Sequence, residues 1–128
     1  MEFAIIDQTS AKKALDYFND FHDGFIKHLQ ITSQEYFEPD GGLVVTGEFL
    51  LAIDFCHYNY QNHFDNKQQI IQAIFQEVYL ISLETSKFEE FGWFISEIAI
   101  DQTPDKRFKL KVNGIELFDF SNAIFKEI

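Results

Sequence analysis

The stretch FHDGFIKH, residues 21–28, holds the most chemically capable neighbours in this chain: His22 and Asp23 stand side by side ahead of Gly24. Imidazole and carboxylate are the ligand types of a divalent metal site, and also the pair that moves protons in general acid–base catalysis. A second group follows, in which His57, His63 and Asp65 fall within nine residues beside Cys56. Convergence of His22, Asp23, His57 and His63 would make a metal-dependent hydrolase. Neither group has the i, i+4 or C-x₂-C spacing that marks a zinc site, however. The structural reading is therefore preferred: Asp23-Gly24 is a helix exit, Cys56 is a small buried hydrophobe, and no cofactor is expected.

Aromatic residues suggest a different activity. Tyr58, Tyr60, His63, Phe64 and Asp65 lie in CHYNYQNHFDNKQQ, residues 56–69, which has no hydrophobic period and reads as one long loop. Aromatic side chains are enriched at binding hot spots and loops carry much of protein function, so these five are the expected partner-binding residues. Arg107, Lys109 and Lys111 alternate along a strand, either as a row for an acidic partner or as lysines that protect a sheet edge; edge protection is the preferred reading. There is no phosphate loop, since Asp40-Gly41-Gly42 precedes a strand, and no G-x-S-x-G elbow. The adjacent pair Glu89-Glu90 is what 21 acidic residues in 128 produce by composition.

The net charge of −11 is uneven: residues 1–65 carry 3 Lys against 11 Asp or Glu. Such a field repels nucleic-acid phosphates and anionic lipid head groups, which leaves a basic protein as the expected partner, with homo-oligomers also open. One cysteine allows no internal disulfide, and MEFAIIDQTS lacks the basic start of a signal peptide. No apolar run approaches the ~20 residues of a membrane span. The expectation is a cytoplasmic protein.

The elements that must position these residues begin with a helix over 9–21. There Ala11, Ala14, Leu15 and Phe18 form one stripe, Thr9 or Ser10 is the N-cap, and the stop falls near Gly24. A strand follows in which Phe25, Leu29 and Ile31 share parity, interrupted at Lys27. After a turn at EPDGG, residues 38–42, a long half-buried strand alternates from Leu43 through Val45, Phe49, Leu51 and Ile53 to Phe55. Residues 70–83 fit a helix or a strand buried on both faces, and β-branched and aromatic enrichment favours the strand. A helical turn within 84–94 and a strand over 94–100 precede a closing hairpin at Asn113-Gly114. That turn pairs Val112 with Ile115, Lys111 with Glu116 and Leu110 with Leu117, and a bulge is expected near Phe118. The last residues finish as a bent strand or a short helix. The whole is one α+β domain, an N-terminal helix on a twisted, mostly antiparallel sheet of five or six strands, curled toward a half-barrel. Sixteen Phe exceed what one sheet face can bury, so a Phe-lined site for an apolar ligand is a further expectation.

FHDGFIKHLQI, followed by a long strand, a second apolar strand and a closing hairpin, resembles small, uncharacterised bacterial β-rich proteins that open with a His-Asp pair. Some of these are grouped with immunity proteins of polymorphic toxin systems. The resemblance implies a non-enzymatic interaction module, an acidic protein that masks a basic toxin or regulates a partner. The His22-Asp23 dipeptide is also similar to the adjacent His-Asp of metal-dependent phosphohydrolases, a family that requires an upstream His; here no His precedes residue 22.

Overall fold

The computed structural model describes residues 2–58, 68–79 and 93–128. The chain opens with a strand the pattern did not announce, β1 (Glu2–Ile5), too short for alternation to register. The helix α1 (Gln8–Tyr17) follows. Its N-cap is Asp7, not Thr9 or Ser10: the Asp7 carboxylate accepts the Ser10 amide at 2.7 Å, and Ser10 Oγ accepts the Asp7 amide at 3.0 Å. The amide bond from Ser10 holds the Asp7 carboxyl below its ordinary pKa. The expected stripe faces inward, with Ala11, Ala14, Leu15 and Phe18 all buried.

The helix stops at Tyr17, well short of Gly24, because the next residues leave helical space. Asn19, Asp20 and Phe21 take φ of 53°, 52° and 53°, one left-handed turn. Asn and Asp tolerate that region, whereas Phe does so only when packing compels it. The Phe21 ring is fully buried and stacks 4.5 Å from Phe55, which supplies the compulsion. Gly24 is therefore not a helix cap. A Cβ there would lie 2.6 Å from the Cys56 carbonyl oxygen and 2.9 Å from His57 Cβ, so it is glycine to let two strands approach.

Among the described residues ten more strands follow: β2 (Gly24–Ser33), β3 (Tyr36–Phe37), β4 (Leu43–Val44), β5 (Phe49–Tyr58), β6 (Gln68–Val78), β7 (Phe94–Ile95), β8 (Ile98–Gln102), β9 (Phe108–Val112), β10 (Ile115–Phe120) and β11 (Asn122–Glu127). Every pairing among the described residues is antiparallel. They form an open six-stranded sheet in the order β1-β11-β6-β5-β2-β7, a three-stranded sheet β10-β9-β8 and a two-stranded ribbon β3-β4. The α+β class thus stands, with more strands than the five or six expected because long periodic runs break into short pieces. The run from Leu43 to Phe55 is two strands, parted at Gly47 with φ of 70°, and the run from Phe94 to Ile100 changes sheet across Ser96 and Glu97.

Register explains the remaining parities. A bulge between Ile26 and His28 makes Lys27 the extra residue, so Leu29 and Ile31 lie on the face of Ile53 and Leu51 while Phe25 lies on the opposite one, beside Cys56. Residues 68–78 are strand, which settles the described part of 70–83; the rest of that run, and the helical turn expected within 84–92, lie outside the described residues. In the closing hairpin Asn113 and Gly114 have φ of 53° and 78°, as the turn requires. The bulge falls between Glu116 and Phe118, so Leu110 faces Phe118 and not Leu117, and both Leu117 and Phe118 are buried.

The inner face of the large sheet, with Leu51, Ile53 and Phe55 of β5, Ile71, Ala73 and Phe75 of β6 and Phe125 of β11, packs on α1 and on the three-stranded sheet in one continuous core. The Phe rings fill it. Phe75 meets Phe118 and Phe120 edge-on at 4.9 Å, and Phe120 stacks on Phe108 at 5.3 Å. Each such pair adds about 0.5–1.5 kcal/mol beyond burial.

Candidate functional site

His22 and Asp23 form the joint between α1 and β2. The His22 Nδ1 donates to the Ser96 carbonyl at 2.6 Å, and the Asp23 amide to the Ile95 carbonyl at 3.0 Å, so the pair pins β7 against the start of β2. The two side chains, 55% and 65% exposed, stand 3.6 Å apart. Asn113 supports the same corner, since its Oδ1 accepts from the Ser96 and Glu97 amides and its Nδ2 donates to the Phe94 carbonyl. Its turn chemistry was legible in the sequence, but its role as a latch between sheets was not, because contacts across 16 to 19 residues leave no local signal.

His57 is not a loop residue. The polar stretch is shorter than expected at both ends: β5 runs to Tyr58 and β6 begins at Gln68, with Tyr58 opposite Gln68. His57 is 3% exposed, its ring 4.9 Å from Phe21 and 5.9 Å from Phe18. His22 faces Ser96 at the surface while His57 sits among rings in the core. Among the described residues no three His, Cys, Asp or Glu come together as a metal site. Tyr58 is 44% exposed at the strand end; Tyr60, His63, Phe64 and Asp65 lie outside the described residues. Cys56 is buried and accepts a hydrogen bond from the Gln68 amide nitrogen.

The basic row is not an edge. β9 is the middle strand of its sheet, and the cations in it and just before it pair to both sides: Arg107 with Asp119 at 3.1 Å, Lys109 with Glu116 at 3.4 Å and Lys111 with Asp101 at 3.6 Å. It is occupied by its own neighbours.

The surface that stands out lies elsewhere, in the hairpin that links β2 to β5. Beyond Ser33 opposite Phe49, the Gln34 amide still donates to the Glu48 carbonyl, but by Tyr36 opposite Val44 the register has shifted by two residues. Glu35 absorbs the shift: its carboxylate accepts the Thr46 amide at 2.6 Å and the Gly47 amide at 3.0 Å. The ribbon β3-β4 then rises as an arm closed by the expected EPDGG turn, where the Glu38 amide donates to the Gly42 carbonyl at 2.8 Å. Tyr36, Phe37, Leu43 and Val45 are 54%, 73%, 58% and 72% exposed on it. The strand expected here holds at Leu43, in β4, but not at Val45, which lies between β4 and β5, and the half-burial expected of both fails because no layer of the described core covers them.

The arm is also acidic throughout. Residues 33–48 contain Glu35, Glu38, Asp40 and Glu48 and no Lys, Arg or His. At its base the Tyr79 hydroxyl donates to Glu48 Oε1 at 2.9 Å, and that bond raises the phenol pKa above its usual value. The Arg107 guanidinium lies 4.9 Å above the same ring and donates to the Glu77 carbonyl at 2.6 Å, which ties the arm to the three-stranded sheet. Comparison with protein-family models, curated proteins and solved structures found no match for this chain.

Proposed function

We propose that this chain is a non-enzymatic, cytoplasmic protein-interaction module that recognises a basic protein, its specific version being an immunity-like or regulatory masker of that partner. The observation that carries this reading is the arm: Tyr36, Phe37, Leu43 and Val45 present apolar surface to water on a segment with four carboxylates and no cation. Exposed apolar patches rimmed by charge are characteristic of protein–protein sites, and acidic fields speed the approach of basic partners. In this reading the six-stranded sheet, curled toward a half-barrel, is the platform from which the arm projects. The loop with Tyr60, His63, Phe64 and Asp65 belongs to the same proposal as a second contact.

A photo-crosslinking phenylalanine analogue at position 37, with one at Ile128 as the control, tests this in cells of the source. The expected result is one discrete crosslinked protein at position 37, basic in composition, that the purified chain binds and that Phe37→Asp releases without lowering the melting temperature. No crosslink from the arm, or the same products from both positions, retires the reading.

A further inference from the structure

The arm continues a strand edge that, among the described residues, is flanked only at its start. β7 pairs with β2 only at Gly24 and Phe25, and the last bond on that side runs from the Ile26 amide to the Trp93 carbonyl. Beyond the Lys27 bulge, no described strand flanks β2 or β3 on this side. The pattern of bonds says which groups face it. Gln34 is bonded across to Glu48, so in the β2-β5 ladder the even residues point inward and Leu29, Ile31 and Ser33 turn their N–H and C=O outward. Glu38 is bonded across to Gly42, which turns Phe37 outward in the same sense. The Glu35 amide between them is taken by Ser33 Oγ at 3.2 Å.

We propose that the partner binds by strand addition: an extended segment with alternating apolar and Lys or Arg side chains pairs with the edge from Leu29 to Phe37, continuing the sheet where β7 ends. The proposal rests on the interaction reading above and names its mode and the chemistry of the segment. Natural sheets guard such edges with lysine, proline, bulges or a covering layer; between His28 and Phe37 this edge has no lysine or proline, and no described strand covers it. Ile31 and Phe37, 41% and 73% exposed, supply the apolar contacts, while Glu35, Glu38 and Asp40 select cations. A second copy would set these carboxylates against its own, and an anionic membrane would repel them. Main-chain pairing gives the affinity and alternate side chains the selectivity, as in other edge-strand recognition.

The probe is a nine-residue peptide of alternating Lys and Val, with its Glu and Val counterpart as the control, read by amide hydrogen exchange on the whole chain. The Lys peptide slows exchange at Leu29, Ile31, Ser33 and Phe37 by about tenfold or more, as new hydrogen bonds at the edge require, and salt weakens the effect. The Glu peptide leaves these amides unchanged. Ile31→Ala keeps the protection within a few-fold, while Ile31→Pro abolishes it, since its ring removes an outward donor without breaking an internal bond. Ser33→Pro is the second variant should Ile31→Pro lower the melting temperature. Protection confined to other residues, or appearing without peptide as concentration rises, overturns the proposal. A cellular partner that survives Ile31→Pro but is lost with Phe37→Asp overturns strand addition while leaving the interaction module standing; loss with neither variant removes both.

Discussion

Two antiparallel hairpins in this chain, 24–58 and 108–120, treat their strands in opposite ways. In the second, β9 lies between two partners, its inner residues Phe108, Leu110 and Val112 are buried, and each outward cation meets a carboxylate on a neighbouring strand. In the first, the distal half carries four carboxylates and no cation, leaves Phe37 and Val45 more than 70% exposed, and borders an edge that no described strand flanks. Both read as strands with apolar alternation. The difference lies in what covers them: the β8-β9-β10 sheet closes over the core, and the arm extends past it. The same apolar pattern becomes core where a second layer meets it and exposed surface where, among the described residues, none does.

The contrast breaks most visibly through the core side. Phe120→Ala in the three-stranded sheet removes a ring packed on Phe75 and Phe108 and is expected to cost about 3–5 kcal/mol in denaturant melts. Equal sensitivity at Phe37→Ala would mean the arm is structural. Next comes Arg107→Ala, which strands an Asp119 whose side chain is only 25% exposed and cuts the tie to Tyr79 and Glu77. About 1–2 kcal/mol is expected, more than the ~0–1 kcal/mol of the more exposed Lys109–Glu116 pair. A double-mutant cycle of Arg107 with Asp119 checks the difference.

A smaller effect belongs to the left-handed turn that joins α1 to β2. Burial, then Asp16 and Glu97, raise the Asp20 carboxyl above its ordinary pKa, with Lys12 and His22 opposing. A raised carboxylate pKa favours the protonated form in the fold, so this contribution is present below the unfolded pKa and is lost as pH rises through the folded one. Asp20→Asn, which also suits φ of 52°, is therefore expected to stabilise the protein at pH 7 by at most about 0.5 kcal/mol after solvent screening, and the gain disappears under acid conditions. Melting curves at pH 7 and pH 3 measure it. Smallest of all on stability is Phe37→Asp, within about 0.5 kcal/mol of the parent, as for exposed sites away from the core. Unchanged stability with lost partner binding sharpens the contrast between the two hairpins, and a large loss of stability breaks it.

Much of the fold was legible because short-range chemistry wrote it. The Ala11, Ala14, Leu15 and Phe18 stripe, the Asn113-Gly114 turn and the bulge near Phe118 each follow from neighbours a few residues apart. The helix end near Gly24 was misread because Gly24 answers to the Cys56 carbonyl across the sheet, which no local pattern reveals. His57 looked available in a polar stretch and is instead in a strand, its ring among Phe18 and Phe21. The row Arg107, Lys109 and Lys111 looked like an edge until strand order placed it in the middle of a sheet. Of the expected partner-binding residues, Tyr60, His63, Phe64 and Asp65 lie outside the described residues, and the arm was read into one long strand with Phe49 to Phe55.

The sequence by itself determined the class of the molecule, its antiparallel hairpins, its acidic field and the Phe-rich composition of its core, because propensity, periodicity and charge are properties of residues and their near neighbours. Only the tertiary structure decided which apolar strands are covered, which histidine is inside, which cations are already paired and which edge no described strand flanks. Those outcomes depend on which layers meet across tens of residues of chain. Burial of apolar surface, the term that drives folding, is settled there and leaves the arm of Tyr36, Phe37, Leu43 and Val45 in water.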